Sequence, residues 1–165
     1  MSSAKRKEKD SVKDLYHEMK QRIRILINLL GKPEVDKLNP LPDDKTFDKI
    51  SNLINGIMGS SQFEPESQYR DAIVEISNWL NCAFQRDYLN TNGHCYPNPL
   101  FVVKKGVEIL HSFFHRDLRR KLLSSEEHEI YRSFIALTAN LPDPTKHKLN
   151  QNDVDSMIDD LLKSS

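Results

Sequence analysis

The chain holds two cysteines in 165 residues, with no CxxC spacing between them, too few for the disulfide framework of a small secreted domain. No Asn-x-Ser/Thr sequon occurs. A reducing intracellular compartment, cytoplasmic or nuclear, is therefore the expected location. Five glycines leave little material for the backbone cradles that hold phosphate, and no P-loop, GxGxxG, GxSxG or HExxH is present. The expectation is a protein that is not an enzyme and needs no cofactor. No run approaches the ~18 consecutive apolar residues of a membrane span. The basic start, Met1 to Asp10, has no apolar stretch behind it, so it does not read as a signal peptide. Charge of either sign is not in excess either: 24 Lys and Arg oppose 24 Asp and Glu. No global field steers the chain toward nucleic acid or an anionic membrane, and binding of that kind would need a local patch.

What the sequence does have is apolar residues at helical spacing. Val12, Leu15, Met19, Ile23, Leu26 and Leu30 share one face of a first helix that begins at Ser11 and stops at Gly31 and Pro33. Ile25 and Leu29 lie off that stripe, which implies that a second side of the helix is also covered. Residues 31 to 45 carry Pro33, Pro40 and Pro42 and read as a connection pinned by Val35, Leu38 and Leu41. A second helix runs from Asp44 to Gly59 on Phe47, Ile50, Ile54 and Ile57, with Gly56 set inside it for close packing. Pro65 is expected to open a third, lined by Tyr69, Ile73, Ile76, Leu80 and Ala83 and flanked by Ala72, Trp79 and Phe84.

Asn92-Gly93, Pro97 and Pro99 make a turn. The fourth helix then opens at Leu100 and is the most hydrophobic. Leu100, Val103, Val107, Leu110, Phe114 and Leu118 form one stripe and Val102, Ile109 and Phe113 a second, so that it must touch several neighbours and form the centre of the fold. Arg116, Arg119, Arg120 and Lys121 close it, where cations complement the helix dipole. Ser124 and Glu127 have the form of a capping box for a fifth helix on Ile130, Phe134, Leu137 and Leu141. A short sixth begins near Asn152.

No alternating run of strand length stands out. The chain reads as all-α: an irregular bundle of five to six helices, or a helical-hairpin stack, with a disordered basic tail over residues 1–10. The helical domain covers residues 11–141, a linker 142–151, and a short acidic amphipathic helix 152–165.

Three constellations bear on function. Cys82, Cys95, His111 and His115, with His94 beside Cys95, match a two-Cys, two-His zinc site in ligand type. The spacing of the cysteines is far from the two to four residues of a zinc knuckle, and Cys82 falls on a polar helix face, so no metal is expected. His115-Arg116-Asp117-Leu118 spells the start of a kinase catalytic loop. The position of that loop's Asn is held by Leu122, and no companion motif follows.

The second constellation is basic. Lys104, Lys105, Arg116, Arg119, Arg120 and Lys121 on the fourth helix, with Lys13, Lys20, Arg22 and Arg24 on the first, would neutralise phosphates if the two faces lay together. The third is the terminal helix, where Val154, Met157, Ile158, Leu161 and Leu162 form an apolar stripe against Asp153, Asp155, Asp159 and Asp160. This is the character of a helix that docks in a groove, of its own body or of a partner. The expected function is that of a non-enzymatic protein-protein interaction domain, an adaptor or subunit of a larger assembly, with the terminal helix as contact element. The alternative is an RNA- or DNA-binding helical domain using the basic faces.

Overall fold

In a computed structural model, which describes residues 3–32, 41–61, 67–114, 122–145 and 158–163, those residues form helices joined by turns, with no strand among them. The helices are α1 (Ser3–Leu30), α2 (Asp44–Ser61), α3 (Gln68–Ala83), α4 (Arg86–Thr91), α5 (Pro99–Phe113) and α6 (Ser125–Ala139), followed by a helical segment, α7, over 158–163. The all-α bundle read from periodicity is the fold.

α5 lies at its centre. It packs on α1, α3 and α6, while α2 packs on α1 and α3. Leu100, Val102, Val103, Val107, Ile109, Leu110 and Phe113 of α5 are all buried, as the double apolar stripe requires. Met19, Ile23, Leu26 and Leu30 of α1 and Phe47, Ile50, Ile54 and Ile57 of α2 are buried in the same core.

Helix ends follow local chemistry. Gly31 closes α1 at φ 77°, the left-handed conformation that glycine adopts without steric cost; its N–H donates to Ile27 O at 2.9 Å. Asp43 caps α2: its carboxylate accepts from Thr46 N at 2.8 Å, and hydrogen bonds from Thr46 hold that carboxyl below its usual pKa. The Ser124–Glu127 capping box of α6 is formed in both directions. Its Glu127 also accepts from the Tyr69 hydroxyl of α3, and Tyr131 of α6 donates to Glu75 of α3. Two tyrosine–carboxylate bonds thus tie α6 to α3.

Four expectations change. The helical backbone of α1 begins at Ser3, ahead of the apolar period. Residues 3–10 hold no Gly or Pro, and Ala, Lys, Arg and Glu propagate a helix without needing an apolar face. The third helix opens at Gln68, not Pro65, because Ser67 caps it and accepts from Arg70 N at 3.1 Å. It also breaks at Phe84 and Gln85 before α4 resumes. Phe84 stacks on Phe47 with centroids 4.2 Å apart, and the Arg86 guanidinium lies 4.5 Å over the other partner of that pair, Phe47. Arg86 Nη2 also stands 2.6 Å from Asp44 Oδ1, as an ion pair and not an aligned hydrogen bond. These contacts with α2 turn the chain where no Gly or Pro does. Finally, α5 ends at Phe113, short of the expected run to Lys121. Phe114 caps it, buried, with its carbonyl accepting from the Tyr16 hydroxyl at 2.6 Å.

Gly56 has the packing role expected of it. A side chain there would meet the Arg22 guanidinium at 3.2 Å, and Arg22 Nη1 donates to Gly56 O at 3.3 Å. Ser77 is the opposite case: its hydroxyl is buried with no hydrogen-bond partner. Leaving such a group unpaired costs about 1–3 kcal/mol. Ser77→Ala is therefore expected to raise stability by about 1 kcal/mol, read as a higher urea midpoint at unchanged slope; a lowered midpoint would contradict this.

Candidate functional site

The terminal acidic helix carries the apolar stripe expected as a contact element, and part of it is described. In α7, Ile158, Leu161 and Leu162 are 50, 67 and 71% exposed. Their spacing puts all three on one helix face, and Asp159, Asp160 and Lys163, also exposed, fall on the other. Val154 and Met157, the remaining members of the expected stripe, lie outside the described residues.

The basic constellation is described only in part. Lys104 and Lys105 sit on α5 and are half-buried, and Lys105 Nζ lies 3.7 Å from Glu108 Oε1. Arg116, Arg119, Arg120 and Lys121 lie outside the described residues, as does the tetrapeptide from His115 to Leu118. On α1, Lys20 lies 5.2 Å over the Tyr16 ring, and Arg22 faces both Gly56 and, at 3.9 Å, Glu18. Of the α1 cations with a described side chain, Arg24 is the exposed one.

The cysteine and histidine set is dispersed. Cys82 on α3 and Cys95 in the turn are half-buried and not in a disulfide. Cys95 Sγ lies 4.0 Å from His94 Nε2 and 4.0 Å from Asn92 Oδ1. His111 sits half-buried on α5, and His115 lies outside the described residues. Among the described residues, no three of His, Cys, Asp and Glu stand together as a metal ion would need.

The turn itself is firmly held. Asn92 is buried and donates from Nδ2 to Tyr88 O at 2.9 Å; Asn98 donates to Gly93 O at 3.0 Å and caps α5 by accepting from Leu100 N at 2.9 Å. Tyr96, at its tip, is 84% exposed, a feature periodicity misses because a turn residue belongs to no helical stripe. Tyr88, beneath the turn, is buried and donates to Pro142 O at 2.6 Å.

Burial, with the negative charges of Cys95 and Asp143 adding to it, pushes the Tyr88 phenol from 10.0 up to about 12. Folding favours its neutral form, so at a pH between those values the unfolded chain binds fewer protons than the folded one. The contribution of Tyr88 is whole below pH 10 and is expected to vanish as pH rises toward 12. Denaturation midpoints across that window check this: the fall in stability should shrink in Tyr88→Phe.

Among the described residues no helix is long and apolar enough to cross a membrane. Fold and surface together define an α-helical bundle that carries a short acidic helix with its apolar face in water. Compared with known proteins, the chain matches no family model, no characterised protein and no solved structure.

Proposed function

We propose that this chain is a non-enzymatic, intracellular protein-protein interaction domain, an adaptor or subunit of a larger assembly, whose contact element is α7. The observation that carries the reading is the exposure of Ile158, Leu161 and Leu162 on one face of that helix. So short a helix is marginal in water, and helices of this kind owe most of their stability to packing an apolar face. An apolar groove on a partner would supply that packing, with anchors at the i, i+3 and i+4 positions. The half-buried setting of Lys104 and Lys105 gives no comparable support to nucleic acid.

The test compares the intact chain with a Leu161→Asp, Leu162→Asp variant as bait. A specific partner should be retained by the first and lost roughly tenfold or more by the second, the size of effect expected when anchor residues are removed. Thermal unfolding of the bundle should be the same in both. Equal retention would count against α7. Binding of a generic oligonucleotide that tightens at low salt and is lost when Lys104 and Lys105 are reversed would favour the basic faces instead.

A further inference from the structure

α6 is fastened differently at its two ends. Toward its N-terminal end the ties to α3 are polar: Leu123 N donates to Gln68 Oε1 at 3.0 Å, the Tyr69 hydroxyl to Glu127, and the Tyr131 hydroxyl to Glu75. The first and last of these lie in exposed surroundings, where water competes for both partners. Leu122, just ahead of the helix, is 67% exposed and adds no apolar anchor. Beyond the C-terminal end the chain is held by buried groups instead. Leu141 and Pro144 are buried, and the buried Tyr88 donates through its hydroxyl to Pro142 O. Between the two ends stands one fully buried residue, Phe134, set against Trp79 and Gly106.

The ends of the helix do not depend on α3. Both bonds of the capping box run between Ser124 and Glu127, and the Asn140 N–H closes the other end on Leu137 O, so that the terminal backbone groups are satisfied from within. Burial sets α6 apart as well. α3 and α5 bury a stripe along their whole length, whereas an element with few buried apolar groups opens at lower cost than the body it lies on.

We infer that α6 is a hinged strap: it swings away from α3 and α5 as one helix about Asn140 and Leu141, latched by the two tyrosine–carboxylate bonds, while α1, α2, α3 and α5 stay folded. The remaining helices support one another without it, because α5 keeps α1 and α3 as neighbours and α2 lies on both of those. Opening bares the Trp79 ring and the notch at Gly106, beside Leu80, that the Phe134 ring occupies. The strap is independent of the reading of α7.

Native-state hydrogen exchange of the full chain at low urea concentrations tests this. The α6 amides from His128 to Ala139 are expected to exchange roughly tenfold or more faster than the buried amides of α1 and α5, with one shared urea dependence shallower than that of global unfolding. Ile50→Val, in the core of α2, should speed the core amides by roughly fivefold and leave the α6 amides unmoved. The paired Tyr69→Phe and Tyr131→Phe changes keep both rings and the capping box. They should speed α6 and core amides by one common factor, roughly tenfold, because both openings start from the latched form. Circular dichroism of each variant verifies that the helices are intact.

α6 amides that share the urea dependence of the core and follow Ile50→Val would overturn the inference, since α6 would then open only with the whole bundle. So would α6 exchange that is independent of urea and graded inward from the helix ends, the mark of fraying. Exchange of α6 unmoved by the two tyrosine changes would remove the latch and overturn it as well.

Discussion

Phe134→Ala is expected to destabilise the protein by about 3–5 kcal/mol, the cost of emptying a large aromatic site in a core. Phe134 is the one residue of α6 that is fully buried; Ile130, Tyr131, Ile135 and Leu137 are partly covered. Its ring meets Trp79 edge-on with centroids 5.7 Å apart, and it reaches α5 at Gly106. The two tyrosine–carboxylate bonds to α3 remain in the variant, but each lies at a partly exposed position and contributes less than the lost ring. Urea unfolding followed by fluorescence is well suited, because Trp79 is the single tryptophan and lies against the altered site. A parallel measurement by circular dichroism distinguishes two outcomes. A cavity in an intact bundle lowers the midpoint at constant slope, whereas release of α6 also lowers the slope, since less surface is then exposed on unfolding. A loss below about 1 kcal/mol would show that the flanking half-buried residues, and not Phe134, anchor α6.

Gly106→Val is expected to cost about 2–3 kcal/mol. At this position a Cβ would stand 2.9 Å from Leu80 Cδ2 and 3.0 Å from Phe134 Cζ, well inside the ~3.5–4.0 Å at which carbon atoms pack favourably. Both neighbours are buried, with 1% exposure each, and have little room to give way. Replacing a helical glycine normally gains up to about 1 kcal/mol of helix propensity, less for a β-branched residue, and overpacking costs about 1–3 kcal/mol, occasionally more. For Val the second effect wins. The pair offers an internal control. Shortening Phe134 opens space where the introduced valine side chain would intrude, so the double variant should be more stable than the sum of the single losses allows, by about 1 kcal/mol or more. Strict additivity would show that the crowding lies elsewhere.

Much of the bundle is legible in residue spacing. The described members of the stripes of the first four helices became the buried faces of α1, α2, α3 and α5 because apolar residues at helical period have one way to leave water together. The capping box at Ser124 and the glycine stop at Gly31 were readable for the same reason: each satisfies backbone groups within a few residues of itself. The exposed stripe of α7 was readable as a pattern. Its meaning was not, since a stripe looks alike whether its own body covers it or leaves it in water. Ile25 is the instructive case. Periodicity marks it as off the main stripe and in need of cover, and the structure leaves it on the surface.

Amphipathic period and local caps, then, are what the amino-acid order determined by itself: which segments are helices, which faces turn inward, and that the segment after Leu100 is central. The tertiary structure alone decided the rest. It breaks the chain at Phe84, where stacking on Phe47 and the pull of Arg86 outweigh continued helix. It brings Gly106 against Phe134, so that a glycine in a helix leaves the room the Phe134 ring takes. It leaves Ile25, Ile158, Leu161 and Leu162 in water. The division has one physical cause. Helical period and capping depend on neighbours along the chain, whereas a break without a breaker, a close approach and an uncovered face depend on which distant segments arrive beside them.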